Sequence, residues 1–428
     1  MSQSATGVNR RQFLGRSACN AAGLAAGLVG LSAGSASSPA ETVRIGVVGV
    51  RRQGRKLALE FAAQPNTDVA AVCDIDGSVL DRAAAELAAA GVSPRLTGEY
   101  RQLIDHPRID AIVVATPDHS HASIAIEALT AGKDVYLESP VCHTIAEGAA
   151  LADAARRFGR VVQSGLFDRS LPHVRNAIEV VRSGRIGTVP LVKAWAVHRR
   201  SPVVMNSEPF EAPPRTDYAA WLAPTAERPF DPQRFHRNWN AFWDYGSGEL
   251  GTWGVPLLDL AAWGLDVELP QRVSASGSRI GGGPTETPDV LQAVYTYPNA
   301  TMTWEHRQWS NHPPEGRSAG VAFHGTRGTL ILDRGGWKVY DAAESMSENG
   351  RADLALHVAD FLAAVRSRHE VCATVETGIR AATLCHLGNI SHRLGREVRY
   401  DAATATFRDD DAANALMSAK YRPHSFLS

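Results

Sequence analysis

The sequence predicts an α/β protein of two domains: a Rossmann-type doubly wound parallel sheet first, then a C-terminal α+β domain with a mostly antiparallel sheet. Three observations carry this. The run Val43-Arg44-Ile45-Gly46-Val47-Val48 stops in a glycine turn, Gly49 to Gly54, and continues as the helical pattern Lys56 to Ala63. Apolar runs then alternate with helical patterns as far as Val161-Val162-Gln163. From about residue 190 onward, extended segments follow one another through turns.

Strand, glycine turn and helix, in that order, are how such a sheet begins and where it holds the phosphates of a dinucleotide. Gly49 allows the tight turn off the strand, and Gly54 lets the helix pack on the sheet while its free N–H groups face a pyrophosphate. Arg51 stands where G-x-G-x-x-G has its second glycine, so an ordinary tight turn is the alternative. Val69-Ala70-Ala71-Val72-Cys73 reads as the next strand, and Asp74 follows it, 25 residues after Gly49. An acid at about 20 residues takes the adenosine ribose hydroxyls; an aspartate capping a loop is the other reading. An acid there favours NAD over NADP, since a 2′-phosphate would meet like charge. Arg51, Arg52 and Arg55 could offset that, so both cofactors stay open.

Within the first domain, residues 41–165, Ala111 to Ala115 reads as a buried parallel strand, Ser120 to Leu129 as a helix and Val135-Tyr136-Leu137 as a strand. Thr144-Ile145-Ala146-Glu147 has capping-box spacing and should start a helix running to about Phe158. Ligands of such sheets sit beyond the carboxyl ends of the strands. Two stretches fall there, Thr116-Pro117-Asp118-His119-Ser120-His121 and Glu138-Ser139-Pro140. Thr116, Pro117, His119, His121 and Glu138 therefore join Gly49, Arg51, Gly54 and Asp74 as candidate cofactor contacts. The bland alternatives are helix capping and exposure for the histidines, and a solvated carboxylate for Glu138.

The second domain, residues 166–428, opens with Val174, Ile178 and Val181 at helical spacing, closed by Ser183-Gly184. Leu191 to Val197, Arg272 to Ser276, Val290 to Tyr297, Thr301 to Glu305, Val321 to Phe323 and Thr329 to Leu332 read as strands. Leu354, Val358, Phe361, Leu362 and Val365 mark one amphipathic helix and Gly378 to Leu394 another, with His357 and His386 as packing or surface residues. The stretch Arg237 to Gly248 is rich in aromatics and amides. It suits a sugar, whose apolar face stacks on rings and whose hydroxyls bond amides; an aromatic core under a glycine loop is the equal alternative. In Trp304-Glu305-His306-Arg307 neighbouring ionisable groups take opposite faces, so at most one side lines a pocket.

The first 40 residues contain no Asp or Glu. Asn9-Arg10-Arg11-Gln12-Phe13-Leu14 is a twin-arginine pattern, and the uncharged stretch from Ser17 to Ala40 offers small-residue cleavage sites near Ala36 or Ala40. A protein exported already folded, with its cofactor loaded beforehand, is expected in the periplasm. So much Gly, Ser and Ala makes a poor spanning helix, so no stable membrane anchor is expected. Cys73, Cys142, Cys372 and Cys385 stand at no metal-ligand spacing, and neither a metal nor a disulfide is assigned. With 44% hydrophobic residues, 21% charged and a net charge of −1, the chain has the make-up of a soluble globular protein without a basic field for nucleic acid.

Several motifs together resemble the glucose–fructose oxidoreductase, inositol dehydrogenase and MocA family, in its exported branch. They are Ala115-Thr116-Pro117-Asp118-His119, Ala131-Gly132-Lys133-Asp134-Val135-Tyr136, Glu138-x-Pro140, Phe242-Trp243-Asp244-Tyr245-Gly246, Val375-Glu376-Thr377-Gly378 and Leu384-Cys385-His386-Leu387-Gly388-Asn389. The resemblance covers essentially the whole mature chain. It implies an NAD(P)-binding oxidoreductase acting on a sugar or cyclitol, whose antiparallel sheet forms the substrate wall and oligomer face, in a homo-oligomer or a mixed oligomer with a paralogue.

The resemblance also shows where this chain departs. Typical members use the lysine of Glu-Lys-Pro and a histidine in D-x-x-x-H; the matching positions here hold Ser139, Thr252 and Pro256, none of which titrates usefully. Three readings follow. One is an active oxidoreductase using another base, with Tyr245 and His306 as first candidates and His143 and Asp259 behind them. Another is a non-catalytic relative that binds nucleotide or sugar, or that supports an active paralogue in a mixed oligomer. The third is an NAD-dependent glycosidase or lyase, since the chain also resembles exported α-N-acetylgalactosaminidases that lack that lysine and use bound NAD in a redox-neutral cycle. If nothing replaces the two lost groups, the protein alone should show little or no NAD(P) reduction with free monosaccharides or inositols.

Overall fold

The computed structural model describes residues 42–200, 203, 210–280, 283–340 and 345–422. The twin-arginine pattern and the Ser17 to Ala40 stretch lie outside the described residues.

The first sheet has six parallel strands: β1 (Val43–Val48), β2 (Thr67–Cys73), β3 (Arg95–Thr97), β4 (Ala111–Val114), β5 (Asp134–Leu137) and β6 (Val162–Ser164). Their order is β3-β2-β1-β4-β5-β6, so the winding reverses between β1 and β4. That reversal opens a crevice at the carboxyl ends of these two strands. Helices α1 (Gln53–Ala62), α2 (Gly77–Ala89), α3 (His121–Thr130) and α4 (Ile145–Phe158) connect the strands. The expected capping box is present: Thr144 Oγ1 accepts from Glu147 N, and Gly159 ends α4 at φ +58°.

The second sheet contains β7 (Leu191–Val197), β8 (Arg272–Ser278), β9 (Val290–Thr296), β10 (Thr301–Arg307), β11 (Ala319–Gly325), β12 (Gly328–Asp333), β13 (Gly336–Tyr340) and β14 (Ser347–Asn349). It runs β14-β13-β12-β11-β7-β10-β9-β8 and is antiparallel except where β7 and β10 pair parallel at its centre. Helices α5 (Pro172–Arg182) and α6 (Val255–Leu265) cover one face, burying Val174, Ile178, Leu258 and Ala261 against Val192, Leu291 and Phe323.

The last two long helices join the domains. Helix α7 (Leu354–Ser367) comes late in the chain, yet Leu354, Val358, Phe361, Leu362 and Val365 share one core with Val47, Phe61 and Tyr136 of the first sheet. Phe361 meets Phe61 and Tyr136 edge-on, with ring centroids 6.0 and 5.8 Å apart. Helix α8 (Val375–Leu394) begins three residues before the expected Gly378, because Thr374 caps it by accepting from Thr377 N. Its Val375 and Ala382 lie in a core of the first domain while Leu384 and Leu387 lie in that of the second. His357 and His386 are both buried packing residues. Among the described residues no helix is long and apolar enough to cross a membrane.

Candidate functional site

The crevice between β1 and β4 is built on two glycines. Gly49 has φ +83°, and a Cβ there would stand 2.7 Å from Ala115 O. A Cβ on Gly54, at the start of α1, would stand 1.7 Å from Gly49 O. The helix N-terminus can thus sit on the turn only because both side chains are absent, as a pyrophosphate site requires. Gly54→Ala should push α1 off the turn, at about 1–3 kcal/mol for overpacking; a drop in thermal midpoint together with weaker dinucleotide binding by calorimetry is expected.

Asp74 ends β2. Its Oδ2 accepts from Val50 N at 2.9 Å and its Oδ1 from Asp76 N at 3.1 Å. An ionised carboxylate has about four lone-pair sites, so roughly two remain for ribose hydroxyls. Burial pushes its carboxyl up to about 6, against the pull of those two bonds. Arg51 is engaged elsewhere, donating to His236 O, while His236 Nε2 lies 2.8 Å from Asp76 Oδ2. Burial and the neighbouring Arg237 and Arg52 lower the Arg51 pKa.

At the other end of the crevice Glu138 follows β5. Its Oε1 accepts from Gln53 Nε2 at 2.9 Å, which links it to the first residue of α1, and its Oε2 accepts from Ser139 N at 3.3 Å. Burial raises the Glu138 carboxyl, with the charges of Arg334 and Lys56 opposing. Glu138 is half-buried, and its carboxylate is tied to Gln53 and to the backbone of Ser139. Pro117 leads into a short turn in which Ser120 Oγ donates to Thr116 Oγ1 at 2.8 Å. His119 and His121 lie behind that turn, 1% and 2% exposed. His121 bridges Pro140 O and Thr116 O at 2.7 Å each, and His119 Nε2 meets Trp221 O at 2.8 Å. They brace the two loops from inside, which replaces the capping-and-exposure alternative. Gly49, Gly54, Asp74, Thr116, Pro117 and Glu138 thus gather along one edge, with Arg51, His119 and His121 committed to internal contacts.

The candidate bases fare differently. Tyr245 is 1% exposed in a cluster with Trp221 and Phe235; its hydroxyl finds no hydrogen-bond partner among the described residues, and burial pushes it up to about 12. His306 is equally buried, with Nδ1 accepting from Trp304 Nε1 at 3.1 Å and Nε2 at 3.0 Å from Pro288 O, so neither nitrogen is free. Asp259 is held by Arg169 at 2.6 and 2.8 Å. Burial, with His119 and His386 nearby, presses His143 down to about 3. All four are buried in this structure. Thr252 is exposed, accepting from Asn240 Nδ2 at 3.3 Å and donating to Gly248 O at 3.0 Å. Ser139 is half-buried, and Pro256 is buried in the first turn of α6.

The aromatic and amide stretch divides between its two readings. Phe242 and Tyr245 are core, whereas Trp239, Asn240 and Trp243 stay half-buried. Beside Thr252, the half-buried Trp253 borders groups that no motif had marked. Arg334 donates to both oxygens of the buried Asp168 at 2.8 and 3.0 Å, with its guanidinium 4.4 Å above Phe167 and 5.6 Å above Trp253. The His198 ring lies 5.7 Å from the Trp253 ring, and its Nε2 lies 2.7 Å from Glu249 Oε2. The only sequence signals were a glycine turn after Arg334 and the position of His198 just past a predicted strand.

Residues 43–166 match a family profile described as "Oxidoreductase family, NAD-binding Rossmann fold", and residues 199–426 match its "C-terminal alpha/beta domain". Levoglucosan dehydrogenase of Pseudarthrobacter phenanthrenivorans is 26% identical over 324 residues, 68% of this chain and 74% of that protein. A glycosyl hydrolase family 109 protein of Shewanella pealeana is 29% identical over 170 residues, covering 35% of this chain and only 37% of the relative. Among solved structures, levoglucosan dehydrogenase in complex with NADH and levoglucosan has a TM-score of 0.66 at 20% identity, over 84% of this chain and 99% of that one. The aldose-aldose oxidoreductase from Caulobacter crescentus complexed with glycerol gives 0.66 at 18% identity, with the same coverage of 84% and 99%. At these identities the two structures establish the fold.

Proposed function

The chain belongs to the Gfo/Idh/MocA oxidoreductase family, and on that premise we propose that it is an exported NAD-dependent oxidoreductase of a sugar or cyclitol, working without the lysine and histidine of typical members. One observation carries the proposal: the glycine turn, Asp74 and the Gln53–Glu138 pair stand along one crevice. The resemblance of the motifs supports reading Ser139, Thr252 and Pro256 as the counterparts of the usual acid–base groups. NAD is preferred to NADP because a 2′-phosphate would meet the Asp74 carboxylate, and Arg51 is already bonded to His236. Bound there, the nicotinamide would accept the hydride; the protein supplies position and a water-poor wall. Trp239, Asn240 and Trp253 offer rings and an amide to a carbohydrate, and the relatives named above favour that class. The assembly in this reading is a homo-oligomer or a mixed oligomer with a paralogue.

The test is the species released when the purified protein is denatured, with NAD expected. If the emptied, folded protein binds neither dinucleotide by titration calorimetry, the proposal is wrong. A second reading draws on the match to the glycosyl hydrolase family 109 protein. A protein silent with free sugars that cleaves a glycoside only when NAD is bound would establish it instead.

Export rests on Arg10-Arg11 ahead of a stretch without acids. Residues 1–42 fused to a reporter that must fold before transport should deliver it across the membrane. Changing both arginines to lysine should abolish delivery; unchanged delivery rules the twin-arginine route out.

A further inference from the structure

We propose that His198, oriented by Glu249, takes the hydroxyl proton of the carbohydrate in place of the groups missing at positions 139, 252 and 256; the inference rests on the oxidoreductase reading above. His198 directly follows β7, and its backbone N–H donates to Arg307 O at 3.1 Å, so the central strands of the second sheet fix its position. Its side chain is 26% exposed, whereas that of Glu249 is 1% exposed. The contact of 2.7 Å between Nε2 and Glu249 Oε2 makes Nε2 the protonated nitrogen. Nδ1 then carries the lone pair, and among the described residues no hydrogen bond is made to it.

The surroundings keep the carboxylate charged. Burial alone would raise the Glu249 carboxyl, but the bond from His198 and the guanidinium of Arg200 outweigh it and hold the group below its ordinary value. The other charged or titratable neighbour is the buried His306 on β10, which faces the same carboxylate. The imidazole rests against Trp253, the residue next to Thr252 and three before Pro256. A histidine with one nitrogen on a buried carboxylate and the other free is the general arrangement of an oriented base. His121, His306 and His357 do not have it, since each is buried with both ring nitrogens in use; His236 has it on Asp76, but beside Arg51 and Asp74 at the ribose end of the crevice, away from Trp253 and Thr252.

In the step assigned to it, the hydroxyl proton passes to His198 Nδ1 and the O–H electron pair becomes the second bond of the carbonyl. A nicotinamide held in the crevice would accept the hydride from the same carbon, so that the alcohol would be oxidised and NAD⁺ reduced. Glu249 stabilises the imidazolium until its proton returns to water.

The experiment uses the full mature protein loaded with NAD⁺ and a panel of monosaccharides, inositols and levoglucosan, with NADH formation followed in a single turnover. His198→Ala should lower the rate by about 10²–10⁴-fold, the usual contribution of a positioned base, leave NAD affinity unchanged by calorimetry, and recover part of its rate when free imidazole is added. Glu249→Gln should keep the fold and the NAD affinity and lower kcat with little change in KM, as loss of a positioning partner of the base requires. If His198→Ala does not fold, His198→Gln, closer in size, should show the same loss. An undiminished rate in either histidine variant, beside an active wild type, overturns the inference and leaves the oxidoreductase reading standing. A wild type that binds NAD but oxidises nothing in the panel overturns both.

Discussion

Replacing Arg169 by methionine should lower the stability of the folded chain by about 3 kcal/mol, the low end of the usual cost of breaking a buried ion pair. Asp259 lies in α6 at 1% exposure, and Arg169 reaches it from the turn after β6 with two hydrogen bonds of 2.6 and 2.8 Å while its guanidinium covers Trp263 at 4.5 Å. Without Arg169, a buried carboxylate loses both bonds and its principal counter-charge. Arg380 stays 3.6 Å away but is shared with Glu268, which is why the loss falls at the low end of the range. The companion double variant, Arg169→Met with Asp259→Leu, should regain most of the loss, since an apolar pair in place of a buried ion pair is often neutral or better. Urea unfolding with an unchanged slope reads both changes. A single-variant loss of only about 1 kcal/mol, the worth of an exposed pair, would show that the site is wetter than its burial implies. The same turn carries Asp168, so loosening it should also free Arg334 beside Trp253.

The contrast between Asp259 and His198 shows what the sequence could reveal about this site. The first domain was legible because its chemistry is local. A glycine turn, an acid 25 residues on and a capping box are patterns within one βαβ unit, and each stands where the spacing put it. The amphipathic stripe of α7 was legible too, but such a stripe states which face is buried and not against what. Only the fold shows that it closes the core of the first sheet. Strands β3, β13 and β14 were too short or too polar to stand out from their turns. The site pairs failed for another reason. Asp168 and Arg334 are 166 residues apart and His198 and Glu249 51 apart, and neither periodicity nor composition relates positions across two layers. Tyr245 and His306 were attractive as bases by residue type, which says nothing of the burial that the fold gives both.

NAD affinity should fall by about 1.5–3 kcal/mol in Asp74→Ala, the worth of hydrogen bonds to a charged group, or roughly one to two factors of ten in Kd. The pH dependence makes this test sharper than the loss alone. In the free protein burial has raised the Asp74 carboxyl from 3.8 to about 6. The folded chain therefore holds this proton more tightly than the unfolded one. The stability Asp74 contributes is fully present below about pH 4 and is lost as pH rises through about 6. Ribose hydroxyls reverse that balance, because they donate to the carboxylate and favour its charged form. Dinucleotide binding should then lower the pKa of Asp74, release protons around pH 6 and weaken as the solution is made more acidic. Calorimetry in two buffers of different ionisation enthalpy should detect the released proton in the wild type and none in Asp74→Ala. If wild-type affinity is the same well below and well above pH 6, Asp74 does not bind the ribose, and its carboxylate serves only to tie Val50 and Asp76 to the end of β2.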